Sequence, residues 1–390
     1  LKILLISNYL PDRQESMHRY ASMLAQELRG RGHSVALVHP PQVLGRFMGR
    51  KFPAAKWIGY IDKYLLAPGS LRAQCRKVDV VHVCDHSNSM YLGLAGATPS
   101  LITCHDLLAI FAAQGRFPGQ STGLTGRVLQ RWIAGGLLRA SSVVCVSAKT
   151  ERDLRELANG EPPPTFVVHH PLNWDFHPVQ SGSGFRVLSN RGLHGADSYF
   201  LHIGNNSWYK NRQAVVHIFA ELKRADKFSK AKLVLAGKPC DEALRAVIAS
   251  SGVAADILEL GSVTNEELRA LYSDATALLF PSREEGFGWP ILEAQACGCP
   301  VITTDRAPMT EIAGTAAILI DSDDTRDAAQ CILKDQYRFP QLKEEGLRNV
   351  ERFTVKKAMD EYESIYRDVI AGQSASSYSE TPKHFEGSEP

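Results

Sequence analysis

Ser282-Arg283-Glu284-Glu285-Gly286-Phe287-Gly288-Trp289-Pro290-Ile291-Leu292-Glu293-Ala294-Gln295-Ala296-Cys297-Gly298-Cys299-Pro300 decides how the rest of the chain is read. It follows the apolar run Ala277-Leu278-Leu279-Phe280, which suits a buried parallel strand. Pro290 suits a first helical position and Gly298 a helix end. The stretch therefore reads as strand, glycine-bearing loop and short helix. A helix start offers unpaired N–H groups and the positive end of a dipole, a place for phosphate. Gly286 and Gly288 let a ligand approach the backbone. Glu285 is expected in the loop and Glu293 in the first helical turn, converging on one pocket. Ionised carboxylates only accept hydrogen bonds, so they favour hydroxyl groups. Phosphate flanked by hydroxyl groups describes a sugar nucleotide. The plain alternative is a solvated loop Glu and a Glu that complements the helix dipole.

The same residues carry a resemblance. Glu285 and Glu293 reproduce the Glu-x7-Glu signature of retaining glycosyltransferases, and EGFGWPILEA resembles family 4 of the GT-B fold. The resemblance implies an α/β protein with two Rossmann-like domains whose parallel sheets face a cleft. It implies donor contacts for Gly286, Phe287, Gly288, Ile291 and Leu292, a sugar contact for Glu285, and a ribose contact for Glu293.

The bulk numbers are those of an ordinary globular protein: 390 residues, 44% hydrophobic and 22% charged. That length suggests two or three domains. No apolar run reaches the roughly 20 residues that span a bilayer. The start, Leu1 to Leu10, contains Lys2 and Asn8 and reads as a strand, not a signal peptide. Eight scattered Cys without a CxxC pair support neither a zinc knuckle nor a disulfide framework, so a cytoplasmic setting is expected. Net charge is +2, but residues 1–180 hold 20 Lys+Arg against 12 Asp+Glu. A basic half can face anionic lipid or an acidic acceptor. Nucleic acid is not expected, since no zinc finger, basic zipper or RNP-type motif is present.

Strand Lys2–Ser7, a helix from about Glu15 to Arg31 and strand Ser34–Val38 form a βαβ opening. The family usually places two glycines in the first loop. Here the stretch is Arg13-Gln14-Glu15-Ser16-Met17, with Ser16 expected as the helix cap on the acceptor side. Residues 42–77 mix Arg46, Arg50, Lys51, Lys56, Trp57, Tyr60, Lys63 and Tyr64. That mixture suits peripheral contact with anionic membrane, at its inner face, through residues such as Lys56 and Trp57. The alternative is an inserted helical pair with a solvated face. Strands Val78–Val83 and Leu101–Cys104 end in Asp85-His86 and His105-Asp106, where open α/β sheets bind ligands. The resemblance places His105 beside the donor sugar and acceptor as a catalytic residue. His86 competes with it, and either could instead make a structural hydrogen bond.

Residues 171–198, with Ser181-Gly182-Ser183-Gly184, lack periodicity and read as an interdomain linker. Tyr199 to Ile203 restarts the strand–loop–helix pattern. In Gly204-Asn205-Asn206-Ser207-Trp208-Tyr209-Lys210-Asn211 the resemblance implies that Lys210 binds phosphate, with Asn205 where the family often has a basic residue. Gly261-Ser262-Val263 matches the base-binding segment, Val263 acting through its backbone. Asp321-Ser322-Asp323 has a metal-site spelling, but it precedes a helix and reads as a cap. The resembled fold needs no metal, and no cofactor is expected beyond the nucleotide-sugar substrate. The expected layout is an acceptor-binding domain at 1–175, a nucleotide-sugar domain at 176–353, a helix at 354–370 returning to the first domain, and a disordered tail at 371–390.

The reading is a retaining, metal-independent hexosyltransferase that uses a nucleotide-sugar and a glycan or lipid-linked acceptor in bacterial-type polysaccharide or glycolipid synthesis. A glycosidase also uses two carboxylates, but the phosphate-ready helix argues against it. A nucleotide-sugar epimerase of similar fold and a non-catalytic nucleotide-sugar-binding subunit remain alternatives. A NAD oxidoreductase does not fit, since no GxGxxG follows either opening strand.

Overall fold

The computed structural model describes residues 1–12, 14–45, 55–191 and 198–372. The chain divides into two compact units. The first holds Leu1–Val146, Thr150–Val168 and the chain from Ala358; the second holds Ser147–Lys149 and His169–Lys357. Among the described residues no helix is long and apolar enough to cross a membrane.

The first unit is built on six parallel strands: β1 (Lys2–Ile6), β2 (Ser34–Val38), β3 (Val80–Val83), β4 (Ser100–Cys104), β5 (Val143–Cys145) and β6 (Thr165–Val167). Their order is β2-β1-β3-β4-β5-β6. β3, β4 and β5 are buried on both faces, which is why they read as unbroken apolar runs. Leu4, Ile6, Val81, Ile102 and Val143 pack with Leu71, Ile133 and Leu137 of flanking helices in one core. Each such side chain contributes roughly 1.5–3 kcal/mol by leaving water.

The last helix, Val355–Ala371, closes this sheet with a buried polar network. His82 meets the Tyr366 hydroxyl through Nδ1 at 2.8 Å and the Thr103 hydroxyl through Nε2 at 2.8 Å. The Tyr20 hydroxyl reaches Thr103 at 3.0 Å and that of Tyr362 at 2.6 Å. On the rim, Arg31 pairs with Asp360 and His33 with Glu363.

The second unit repeats the plan with β7 (Tyr199–Gly204), β8 (Lys232–Gly237), β9 (Ile257–Gly261), β10 (Ala277–Phe280), β11 (Val301–Thr304) and β12 (Ile318–Ile320), all parallel, in the order β12-β11-β10-β7-β8-β9. Phe200, Leu233, Leu279 and Ile302 meet Val215, Phe219 and Ile332 in its core. β11 escaped the sequence reading because Gly298 and Pro300 punctuate the chain just before a run of only four residues.

Part of the expected linker is helical. Helix Ser183–Asn190 packs against helix Asn265–Asp274, and both carboxylate oxygens of Asp274 accept backbone N–H groups, from Gly182 at 3.1 Å and Gly184 at 2.6 Å. A Cβ on Gly184 would lie 2.4 Å from the Tyr199 hydroxyl, so Gly184 serves close packing. Segment 42–77 is helical from 55 to 75: helix Ala55–Ile61, a π turn Asp62–Leu66 and helix Ala67–Cys75. Arg13, Arg46, Arg50, Lys51 and the tail beyond Gly372 lie outside the described residues.

Candidate functional site

Strand order locates the site in each unit. β7 has β10 on one side and β8 on the other, so the order turns back between β7 and β10. Open parallel sheets bind ligands outside the carboxyl ends of the strands at such a point. The loops that leave those two strands are 205–211 and 281–288, and the Arg283 N–H donates to the Tyr209 carbonyl at 2.7 Å.

Lys210 and Glu285 meet across these loops. Lys210 Nζ lies 2.6 Å from Glu285 Oε1, with the two side chains 13% and 10% exposed. The ammonium also sits 4.9 Å from the Phe280 ring centroid. At its base, Gly237 has φ +112°, and a Cβ there would fall 2.2 Å from the Gly204 carbonyl oxygen. The backbone pairing of β7 with β8 at the root of the Lys210 loop therefore needs glycine. Asn205 turns inward on its own loop, its Oδ1 accepting the Ser207 N–H at 2.9 Å.

The glycine loop is fastened on several sides. Ser147 Oγ donates to the Gly286 carbonyl at 2.7 Å, and Lys149 pairs with Glu284 at 3.0 Å. Phe287 is buried against His170 and Phe353, while His170 stacks on Trp289 at 4.6 Å. Gly288, at φ +104°, starts helix Trp289–Ala296, with Pro290 in its opening turn.

Glu293 departs from expectation. It falls in the second turn, since the helix starts at Trp289, and it is 4% exposed. Tyr272 donates its hydroxyl to Glu293 Oε2 at 3.1 Å. Burial, reinforced by the neighbouring carboxylate, pushes the Tyr272 hydroxyl well above its ordinary pKa, so it stays a donor. Glu285 and Glu293 thus take different partners. Ile291 and Leu292 are fully buried. Val263 precedes the capping box of Thr264 and Glu267.

Asp321 and Asp323 are not the cap. Asp324 is the residue that caps helix Thr325–Asp335, accepting the N–H groups of Arg326 and Asp327. Asp323 pairs with Arg283 at 3.0 Å and Arg306 at 2.6 Å, and Arg306 holds its carboxyl below the usual range.

In the first unit the strand order turns back between β1 and β3. Asn8 and Asp85 leave those strands, and Asn8 Nδ2 donates to Asp85 Oδ2 at 2.5 Å. Burial pushes the Asp85 carboxyl up, but the neighbouring His86 and His105 imidazoles and the hydrogen bonds from Asn8 and the Ser87 N–H outweigh that and hold it low. His86 Nδ1 lies 3.3 Å from Asp85 Oδ1. His105 Nε2 meets the Cys84 carbonyl at 2.8 Å, and its ring stands edge-on to Tyr20 at 5.0 Å. Burial lowers the His105 pKa, so the ring is neutral near pH 7 and donates from Nε2. His105 thus makes a structural bond, one strand away from the turning point. Asn8 and Asp85, which no spacing rule links, occupy the turning point itself.

Ser16 is not the helix cap. Helix Glu15–Gly30 starts one residue earlier and Gln14 is its N-cap, without a side-chain cap bond. Trp57 is 58% exposed on helix Ala55–Ile61; the side chain of Lys56, on the same helix, lies outside the described residues.

Two family models match the chain: Glycosyltransferase Family 4 over residues 17–176 and Glycosyl transferases group 1 over residues 197–334. The chain is 26% identical over 237 residues to the O-antigen chain mannosyltransferase B of Escherichia coli, covering 60% of each protein. It is 32% identical over 132 residues to the O-antigen chain mannosyltransferase RfbU of Salmonella typhimurium, covering 33% of this chain and 36% of that protein. The aligned stretches thus span about one third to three fifths of these relatives. Among solved structures, a sucrose-phosphate synthase from Thermosynechococcus elongatus superposes with TM-score 0.70 at 19% identity, over 95% of this chain and 100% of that one. Anabaena HepE, solved with UDP and glucose, superposes with TM-score 0.72 at 13% identity, over 94% and 100%. Two parallel-sheet, Rossmann-like units and two family matches give one conclusion: the chain belongs to the group 1, family 4 glycosyltransferases of the GT-B fold.

Proposed function

We propose that the protein is a retaining, metal-independent glycosyltransferase. It moves a hexosyl unit from a nucleotide-sugar of the GDP-mannose or UDP-hexose type to a hydroxyl of a glycan or lipid-linked acceptor. The observation that carries this reading is the Lys210–Glu285 pair at the turning point of the second sheet, beside a glycine loop that opens a helix. A cation and a helix start suit a diphosphate, and a carboxylate suits the hydroxyls of a sugar. The relatives named as O-antigen mannosyltransferases favour a mannosyl donor and polysaccharide synthesis. Another relative, named N-acetyl-alpha-D-glucosaminyl L-malate synthase of Bacillus anthracis, keeps other hexosyl donors in view.

In this reading Lys210 and the N–H groups at the start of helix Trp289–Ala296 stabilise negative charge as the diphosphate departs. The acceptor hydroxyl attacks from the leaving-group face, and the departing phosphate oxygen takes its proton. No protein nucleophile is then needed. Glu285 holds and polarises the sugar, Glu293 holds the ribose, and the backbone at Val263 meets the base. His105, with His86 beside Asp85, serves the acceptor side. The basic, aromatic stretch at 42–77 suits an acceptor presented at the cytoplasmic face of an anionic membrane.

A thermal-shift screen against GDP-, UDP- and ADP-sugars tests the reading, because a ligand of the native state raises the melting temperature. One nucleotide class should stabilise the protein. No stabilisation by any of them, in a protein that melts cooperatively, would contradict the reading.

A further inference from the structure

Asp321-Ser322-Asp323 follows β12 directly, and its spelling is that of a metal site. The structure gives its groups other partners. Both carboxylate oxygens of Asp323 face arginines. Oδ1 accepts Arg283 Nε at 3.0 Å, and Oδ2 lies 2.6 Å from Arg306 Nη2. Asp321 Oδ1 accepts the Asp323 N–H at 3.0 Å and stands 3.8 Å from Arg306. The carbonyl of Ser322 accepts Asn211 Nδ2 at 3.4 Å, and both of these residues are buried. Arg283 follows β10, Arg306 follows β11 and Asn211 lies in the loop after β7. One tripeptide thus reaches the loops that leave three other strands of the second sheet.

These contacts converge on the Lys210–Glu285 pair. Tyr209 and Asn211 flank Lys210. The Tyr209 carbonyl takes the Arg283 N–H at 2.7 Å, and Ser322 holds Asn211. Asn211 is left-handed at φ +51°, a conformation in which Asn is several-fold enriched. The Lys210 loop is therefore pinned on both sides of the lysine. Arg283 stands two residues before Glu285, so Asp323 pins the glycine loop as well. The arginine side chains are each 41% exposed and that of Asp323 is 48% exposed. Ion pairs this open to water contribute little to folding stability. Charge-assisted bonds to both oxygens of one carboxylate add geometric specificity instead.

We propose that Asp323 is a positioning residue for the transfer. Through Arg283, and with Ser322 on Asn211, it sets the spacing of the two loops at which Lys210 and Glu285 meet. It acts whichever sugar is moved, while the diphosphate as the ligand of Lys210 rests on the proposed function. Asp321 supports Asp323 by taking its N–H. The three residues spelled like a metal site are then a clamp made of protein groups.

The test is calorimetry with GDP, UDP and ADP on the full chain. The wild-type protein should bind one of them. Asp323→Ala and Arg283→Ala should each weaken that nucleotide about fivefold, the scale of a loosened charge-assisted contact. Their melting temperatures should stay at the wild-type value, because the side chains are half in water. The double variant should lose no more than Arg283→Ala alone, since Asp323 acts through that arginine. In a Lys210→Ala background, Asp323→Ala should have no further effect, which a general loss of structure would not reproduce. Wild-type affinity in Asp323→Ala would overturn the proposal, and so would a full additional loss in the Lys210→Ala background. If Mn²⁺ tightens the nucleotide in the wild-type protein and not in Asp323→Ala, Asp323 is a metal ligand and the clamp falls. A wild-type protein that binds none of the three nucleotides would contradict the proposed function, and the clamp with it.

Discussion

Lys210 Nζ and Glu285 Oε1, from two loops that flank the turning point of the second sheet, are 2.6 Å apart. The ammonium assigned to the diphosphate is therefore already held by the carboxylate assigned to the sugar. A diphosphate must compete with Glu285 for Lys210. Glu285→Gln should lower the rate of transfer by about 10²-fold or more, if the carboxylate acts mainly as positive charge develops on the sugar. Initial rates at saturating donor check this, and a loss of less than about threefold would place Glu285 outside the reaction.

Glu293→Ala should weaken nucleoside diphosphate binding by about 1–3 kcal/mol, the size of a lost charge-assisted hydrogen bond. Tyr272→Phe removes the hydroxyl that donates to Glu293 but leaves the carboxylate. It should weaken binding by no more than about 1 kcal/mol. Calorimetry on the two variants makes the comparison. Equal losses would mean that Glu293 matters for packing, not for the ribose.

Transfer should survive chelation, because in the proposed reading Lys210 and the helix N–H groups meet the diphosphate that a divalent cation would otherwise bind. Asp323 is occupied by Arg283 and Arg306. Loss of activity in EDTA with recovery on adding Mn²⁺ would return Asp321 and Asp323 to the site.

Stability should fall on mild acidification. His82 in the first unit and His202 in the second are buried, and burial lowers each pKa from the ordinary 6.5 to about 3. Below about pH 6.5 the unfolded chain takes up protons that the folded chain refuses. Stability is therefore full above that pH and is lost as pH falls toward 3. Each histidine adds up to about 1.4 kcal/mol per pH unit within that window. Melting temperatures between about pH 7 and pH 5 should drop, and His82→Gln should flatten the drop. An unchanged melting temperature across that range would contradict the buried neutral histidines.

What the sequence made legible was local. The βαβ openings, β10, the glycine loop and the helix of Asn265–Asp274 are written in contiguous residues, so periodicity and punctuation reveal them. The partners of those residues are not contiguous. Tyr272 reaches Glu293 from another helix, Ser147 reaches Gly286 from 139 residues away, and Asn8 meets Asp85 across 77. No spacing rule encodes such contacts, because strand order sets them. Ser16 and Asp323 failed as caps because several polar residues stand near each helix start, and backbone geometry chooses among them.

The central claim is that Lys210 faces the diphosphate and Glu285 the sugar. The most direct measurement is the affinity for the nucleoside diphosphate alone, by calorimetry, in Lys210→Ala and Glu285→Gln. That ligand has phosphates for Lys210 and no sugar for Glu285. Lys210→Ala should weaken it by about 1.5–3 kcal/mol, the scale of a lost hydrogen bond to a charged group. Glu285→Gln should leave it unchanged or tighten it, since the competing carboxylate charge is gone. If Glu285→Gln loses as much affinity as Lys210→Ala, the sugar does not sit against the glycine loop and the account is wrong.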